Sequence, residues 1–448
     1  MLAPLVNLLI VVASVLIHRW LWIRLVRDTT RPGGAARRVG TVAVVVSAAL
    51  AAAPRILVPA LGPDTGRPLA WTGYVWLGVL LYLMLTLLVW EAPRAVLGIR
   101  AIARRRNGRA PAPAVAESSA PAVPEPARVA AAAPARDAAT PAPDTEGALA
   151  AGGPAPGGAG AGAGAGSTGP ARPDRRLFLS RAAALTAGGI AVATTGFGMR
   201  TALGDPVVKR VPVRIAGLAQ PLSGLRFAVV SDLHLGPLLG RAHTERIVRM
   251  INALEADVVT VVGDLADGTP SQLAPAARPL RHLEATHGAF FVTGNHEYMF
   301  DGAEAWVDEL HGLGITTLLN ERREIRHRGA VLDLAGVEDL SGAEHGRGPD
   351  YARALGDRDT SRPVVLMAHQ PVMIEEAARH GVDLQLSGHT HGGQMFPLTE
   401  LTKLTNPVVS GLGKVDNTQL YVTNGAGFFG PPVRVGAEPE ITVIELRP

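Results

Sequence analysis

The carboxy-terminal half of this 448-residue sequence predicts an α/β fold, on three observations. Short, apolar, β-branched runs recur along it, segments of helical period separate them, and each run leads into residues that ligate metal ions. The runs are Leu225–Val230, Asp257–Val262, Ala289–Val292, Pro363–Ala368 and Val382–Leu386. Each has the length of a strand and reads as continuous, as strands buried on both faces do. Helices are predicted over Ala242 to Leu254, Ala303 to Leu313 and Met373 to His380, each amphipathic and ended by Gly or by a short break.

The residues that follow the runs form five clusters in a fixed order: Asp232-Leu-His234, Gly263-Asp264, Gly294-Asn295-His296-Glu297, His369 and Gly388-His389-Thr-His391. Hard oxygen and imidazole donors on loops behind rigid strands are what a metal-dependent hydrolase requires. In open α/β sheets, ligands collect beyond the carboxyl ends of the strands, so five such endings are expected to converge on one site. Any one Gly-Asp or Asp-x-His is usually an ordinary turn, its glycine chosen for positive φ. Five of them in order, each behind a strand, are not accounted for as turns. His243, His282, His287, His311, His327, His345 and His380 lack such context and are expected on the surface or in loops.

With these residues the sequence resembles the calcineurin-like metallophosphoesterase superfamily, whose blocks D-x-H, G-D, G-N-H-[ED], H and G-H-x-H follow in this order. The resemblance covers about Arg210 to Pro448. It is nearest to YkuE/YaeI-like bacterial phosphodiesterases, through Ser387-Gly-His-Thr-His-Gly-Gly-Gln394 with Pro397, Tyr421–Gly427, and Pro439-Glu-Ile441. It implies a four-layer α/β/β/α sandwich of two mixed sheets, preceded here by transmembrane helices. It implies two divalent ions (Mn, Fe or Zn): one held by Asp232, His234, Asp264 and His391, the other by Asp264, Asn295, His369 and His389. His296 would serve the leaving group as the catalytic acid, and Asp267 would orient it. Serine/threonine protein phosphatases of this superfamily grip the phosphoryl group with two arginines whose positions here hold Gly268 and Thr293, so that activity is disfavoured. A phosphodiester or pyrophosphate bond in a lipid-linked substrate is the expected target. A phosphomonoesterase or nucleotidase, or a receptor that retains the fold without catalysis, are the alternatives, and the intact ligand set argues against the last. Arg434 is a candidate phosphate contact.

The front of the chain predicts a location. Residues 1–99 contain three apolar runs of spanning length, about Leu2 to Trp22, Val39 to Leu61 and Trp71 to Trp90, with tryptophans near their ends and centres nearly free of charge, Arg55 excepted. Arginines cluster after the first and third runs (Arg24, Arg27, Arg31, Arg37, Arg38; Arg94, Arg100, Arg104, Arg105, Arg106), while the second connection has only Arg67. The positive-inside rule then sets the amino terminus outside and both clusters in the cytoplasm. Residues 100–173 are rich in Ala, Pro and Gly, a linker expected to stay disordered. Residues 174–204 begin Asp174-Arg-Arg-Leu-Phe-Leu-Ser180, which is similar to a twin-arginine export signal, so the twin-arginine translocase is an expected partner; an ordinary fourth transmembrane helix is the other reading. Both place the domain over residues 205–448 outside the cytoplasm, in a multi-pass protein of the cell membrane.

Composition sets the remaining bounds. The absence of cysteine removes disulfides, thiolate ligands and a cysteine nucleophile. The net charge of +4 rests almost wholly on arginine that flanks spans and linker, and no basic patch interleaved with aromatics points to nucleic acid.

Overall fold

The computed structural model describes residues 2–107, 175–300 and 302–448. The chain divides into two compact units, residues 1–93 with 174–448, and residues 94–173. The expected linker lies outside the described residues from 108 onward, as does Asp174 of the export-like motif.

Four helices are long and apolar enough to cross a membrane: α1 (Leu2–Leu21, prolonged to Arg27 by a π-helical stretch), α2 (Ala35–Leu61), α3 (Pro63–Asn107) and α4 (Arg175–Leu203). The third starts earlier than its hydropathy suggests. Only Gly62, at φ 77°, separates α2 from α3, because Pro63 supplies the fixed φ that suits a first helical position. At one end of the bundle Arg24 pairs with Glu91 at 2.8 Å, and Arg181 donates to the Thr29 carbonyl at 3.0 Å. The carboxyl end of α1, Glu91 of α3 and Arg181 of α4 therefore lie together. Close approach elsewhere needs glycine: a Cβ on Gly73 of α3 would fall 2.2 Å from Pro54 and 2.7 Å from the Leu50 carbonyl of α2.

Twelve strands follow: β1 (Val207–Arg214), β2 (Arg226–Val230), β3 (Val258–Val262), β4 (Ala289–Val292), β5 (Thr316–Thr317), β6 (Glu321–His327), β7 (Ala330–Gly336), β8 (Val364–Met367), β9 (Leu384–Ser387), β10 (Gly411–Val415), β11 (Thr418–Val422) and β12 (Glu440–Arg447). They form two mixed six-stranded sheets, ordered β1-β12-β2-β3-β4-β5 and β10-β11-β9-β8-β7-β6. The apolar strands pair in parallel (β2 with β3, β3 with β4, β7 with β8, β8 with β9), which points their carboxyl ends one way.

Strand alternation builds the layers. Phe227 and Val229 of β2 face the second sheet, in a core with Leu334, Val365 and Leu386. Ala228 and Val230 point to the opposite face, where Ile247 and Ile251 of α5 (Arg241–Asn252), Leu273 of α6 (Pro270–Ala277) and Trp306 of α8 (Ala303–Gly312, which follows the single-turn α7, Asn295–Met299) cover them. The outer face of the second sheet packs Leu366 and Ala368 under Ala354 and Leu355 of α9 (Tyr351–Leu355) and Ala377 of α10 (Ile374–Arg379). The result is the expected α/β/β/α sandwich.

The bundle and the sandwich share a core. Val433 is fully buried among Leu80, Leu83, Ala187 and Ala191 of the helices, and the Arg434 N–H donates to the Gly198 carbonyl of α4 at 2.9 Å. A Cβ on Gly198 would meet Val433 at 2.5 Å, so that glycine admits the loop.

Two histidines expected at the surface are buried instead. His327 closes β6 beside His287, with ring nitrogens 3.1 Å apart. His243 lies on the inner face of α5, 6% exposed, because the helical period that buries Ile247 also buries it. Burial, with the charges of Arg246 and Arg434 nearby, lowers its pKa to about 3. The neutral form is thus favoured by folding, and the stabilisation is lost as pH falls below the unfolded value of 6.5. Between pH 7 and 5 this one group is expected to cost about 2 kcal/mol, so thermal unfolding of a His243→Asn variant should depend less on pH over that interval than unfolding of the parent protein.

Candidate metal centre

Five loops at the carboxyl ends of β2, β3, β4, β8 and β9 bring the sequence-singled residues to one place. Three groups of ligand atoms each lie within 4.8 Å of one another: Asp232, His234 and His391; Asp264, His369 and His389; and His234, Asp267 and His296. The first two hold one carboxylate and two imidazoles apiece. Asn295 joins the second through a contact of 2.8 Å between its Oδ1 and His389 Nδ1. Asp264 stands between the two groups, with Oδ2 3.3 Å from His369 Nε2 and 3.8 Å from His234 Nε2. His391 Nε2 is 2.9 Å from His234 Nε2 and 3.4 Å from Asp232 Oδ1.

This donor set fits divalent cations. His369 Nδ1 is engaged by the Val262 carbonyl at 2.8 Å, while its Nε2 is buried with no hydrogen-bond partner. A buried imidazole with one nitrogen anchored and the other open is arranged as a metal ligand is. His234 is likewise anchored at Nδ1 by Asp267, at 2.8 Å, with Nε2 turned toward Asp232 and Asp264.

The local backbone shows how firmly the ligands are held. Asp232, His234, Asp264, His389 and His391 all have φ between 46° and 70°, a region that side-chain-bearing residues rarely occupy and that costs of order 1 kcal/mol each. Neighbouring glycines permit the crowding: a Cβ on Gly294 would fall 2.2 Å from the Asp264 carboxylate, and one on Gly388 would fall 2.4 Å from that of Asp232. The Asp232 carboxylate accepts from the Ser231 hydroxyl and, at 3.1 Å, from the His389 N–H. It thereby ties the loop after β2 to the loop after β9 in the other sheet.

Glu297, which the sequence showed only as the end of a motif, organises two loops. Its buried carboxylate accepts from the N–H groups of Gly294 (2.7 Å), Leu265 (2.9 Å) and Asp264 (3.1 Å). Burial and the charge of Asp264 push its pKa up to about 7. Burial also works on Asp264, but the imidazoles of His369, His296 and His234 outweigh it and hold that carboxyl well below its ordinary range.

His296 and Asp267 form a pair beside the ligands. Asp267 Oδ1 lies 2.8 Å from Nδ1 of both His296 and His234. Burial opposes charge on His296, but Asp267 and Asp264 overcome it and raise the pKa to about 9; Asp267 falls to about 2 against its own burial, through His234 and His296. Trp306 fixes the loop bearing Asp267 by donating from its indole to the Gly268 carbonyl at 2.8 Å. The rings of Phe429 and Phe300 stand 4.8 Å and 6.1 Å from that of His296, a hydrophobic rim that the sequence reading did not include.

Arg434 is placed differently from expectation. It is fully buried and its guanidinium donates to the carbonyls of Gly427 (2.6 Å), Asn424 (2.8 Å) and His391 (3.2 Å), with Nη2 3.0 Å from His391 Nδ1. Its donors are engaged by these carbonyls and by the His391 ring, so it braces the His391 loop and is not turned toward the cleft as a phosphate contact would be. Its charge adds to burial in holding the His391 imidazole well below its ordinary pKa.

Comparisons with known proteins agree with this geometry. The calcineurin-like phosphoesterase family pattern matches residues 225–393. A transmembrane protein with metallophosphoesterase domain from Danio rerio is 41% identical over 260 residues, 56% of this chain and 60% of the relative. An uncharacterized metallophosphoesterase of Aquifex aeolicus is 33% identical over 48% of this chain and 83% of its own length. The uncharacterized metallophosphoesterase YkuE of Bacillus subtilis is 28% identical over 61% of this chain and 97% of its own. The chain thus spans about three-fifths of the transmembrane relative's length. Among solved structures, the sulfate thiohydrolase SoxB of Thermus thermophilus aligns over 51% of this chain and 57% of its own, with 15% identity and a TM-score of 0.33.

Replacing Glu297 by Ala leaves four buried N–H groups, those of Asp264, Leu265, Ala266 and Gly294, without their acceptor, at about 1–3 kcal/mol for each such group. The Glu297→Ala protein is expected to unfold at lower temperature and to retain less than half the metal of the parent when bound metal is counted by elemental analysis.

Proposed function

This chain belongs to the calcineurin-like metallophosphoesterases, and on that premise we propose that it is a membrane-anchored, two-metal hydrolase of phosphodiester or pyrophosphate bonds, with lipid-linked substrates, acting outside the cytoplasm. The observation that carries the reading is the pair of ligand groups meeting at Asp264. Asp232, His234 and His391 with Asp264 would hold one ion, and Asp264, Asn295, His369 and His389 the other. The ions, which Mn, Fe or Zn would suit, supply Lewis-acid polarisation of the phosphate and activation of water.

The chain's own groups do the rest. Asp267 keeps the His296 imidazole charged and aimed, so that His296 presents a proton to the departing oxygen. In hydrolysis of a diester, water adds at phosphorus, one P–O bond breaks, and the leaving alcohol takes the proton; the other product is a phosphate monoester. Phe429 and Phe300 shield that proton path from bulk water. Gly268 and Thr293 stand where the protein phosphatases' arginine grip would be, and the lack of that grip on a phosphomonoester dianion favours the singly charged diester.

Placement outside the cytoplasm draws support from the bundle. The end of α1 that carries Arg24 and Arg27 lies beside the start of α4, which carries Arg181, and α4 leads from there to β1. The positive-inside rule assigns the arginine end to the cytoplasm. A twin-arginine route across the membrane, with Arg175 and Arg176 as its signal, fits this arrangement, since it would carry the domain folded around its metals.

Purified full-length protein with Mn²⁺ is expected to hydrolyse a model phosphodiester faster than the matching monoester, and chelation should abolish the activity until metal returns. Asp264→Asn should lower kcat by at least about a thousandfold and His296→Ala by about a hundred- to ten-thousandfold. Equal rates in parent and both variants would end the two-metal reading.

A further inference from the structure

The cleft in front of the metal centre is walled by the membrane bundle. A cavity of about 630 Å³ is bounded on one side by His234, Asp267 and Phe429 and on the other by Ile10, Val58 and Leu77 of the first three helices. The sandwich alone would leave its metal centre open to water; here one wall of the approach is apolar helix surface. Phe429, 47% exposed, and Met299, 49% exposed, continue that surface to the rim.

One charged side chain from the helices lines the same cavity. Arg55 of α2 sits six residues before Leu61, the end of the helix, which is about 9 Å along the axis at the ordinary helical rise. An arginine inside an apolar span costs about 2.5–3.5 kcal/mol unless it is paired or faces a polar cavity. Among the described residues Arg55 makes no hydrogen bond or ion pair, and it is exposed where it lines the cavity. Tyr74 of α3 lines the cavity beside it, within electrostatic reach of both Arg55 and Asp267. The cavity thus presents a cation near the depth of lipid headgroups, a metal centre at one end, and aliphatic side chains at the other.

Resting on the phosphoesterase reading above, we propose that the substrate is an anionic membrane amphiphile that enters from the bilayer, laying its hydrocarbon tail against Ile10, Val58 and Leu77 and its phosphate head between Arg55 and the metal centre. Arg55 then selects substrates by charge, and the bundle selects them by chain. A water-soluble phosphate ester fills only the metal end and gains nothing from either. The tail contributes about 0.8 kcal/mol for each methylene taken from water into the cleft.

The test uses full-length protein in lipid nanodiscs with Mn²⁺ and two phosphodiesters of p-nitrophenol, one bearing a long alkyl chain and one bearing methyl. The long-chain compound is expected to have the higher kcat/KM. Arg55→Gln should raise KM for it about tenfold, the size of a lost charge-assisted hydrogen bond, with kcat within about twofold, and Arg55→Lys should restore most of the loss. Ile10→Trp, which narrows the apolar end, should reduce the advantage of the long chain over methyl; bound metal and elution volume of each variant report folding. Equal kcat/KM for the two diesters, or an Arg55→Gln effect that is the same for both, overturns the proposal and leaves the phosphoesterase reading intact. Hydrolysis of neither diester by the parent, with metal bound, removes that reading and the proposal with it.

Discussion

The centre depends on buried carboxylates that accept from backbone across loops. Glu297 gathers N–H groups from the loop after β3 and the loop after β4, and Asp232 gathers the His389 N–H from the other sheet. These contacts offset the left-handed backbone at five ligand-bearing residues, which in isolation would relax away. Each oxygen of Glu297 accepts from two N–H groups, which offsets part of the cost of burying the carboxylate; hydrogen bonds to charged groups are worth roughly twice neutral ones. The same crowding explains why Gly294 and Gly388 cannot carry a side chain.

The bundle and the sandwich are built as one object at the site. The loop after β11 runs from Gly427, whose carbonyl receives Arg434, through Phe429 at the mouth to Val433 inside the helices. The brace on the His391 loop, the cleft rim and the contact with the helices thus lie within residues 427–434. Displacement of α4 at Gly198 bears on the Arg434 backbone, and the Arg434 guanidinium bears on His391. The helices shape the approach to the metals as well as holding the domain at a membrane.

The sandwich was legible where its elements are locally periodic. β2, β3, β4, β8 and β9 are apolar runs buried on both faces, so their boundaries fall within one or two residues of the sequence expectation. β6 and β10 escaped notice because they are edge strands with alternating exposure, their charges facing water. β12 pairs between β1 and β2, a contact made across the whole domain. Of the site, the ligand residues were legible because they follow strands in motif order. The brace formed by Arg434, the burial of His243 and the aromatic rim were not, since each depends on which distant backbone carbonyl or helix face meets the side chain.

Two arginines show how the surroundings decide a role that residue type leaves open. Arg434 lies near the candidate ligands and reads from the sequence as a phosphate contact, yet its donors are committed to carbonyls of five residues, His391, Asn424, Gly425, Gly427 and Ala437. A guanidinium so engaged cannot turn to a substrate without leaving those acceptors bare, at about 1–3 kcal/mol apiece. Arg55 reads from the sequence as an awkward charge in an otherwise apolar span. It borders the cleft with all five N–H donors unspent among the described residues. An arginine near the end of an apolar helix can extend to the interface, and Arg55, exposed and bordering the cleft, is thereby free to meet an anion that enters it.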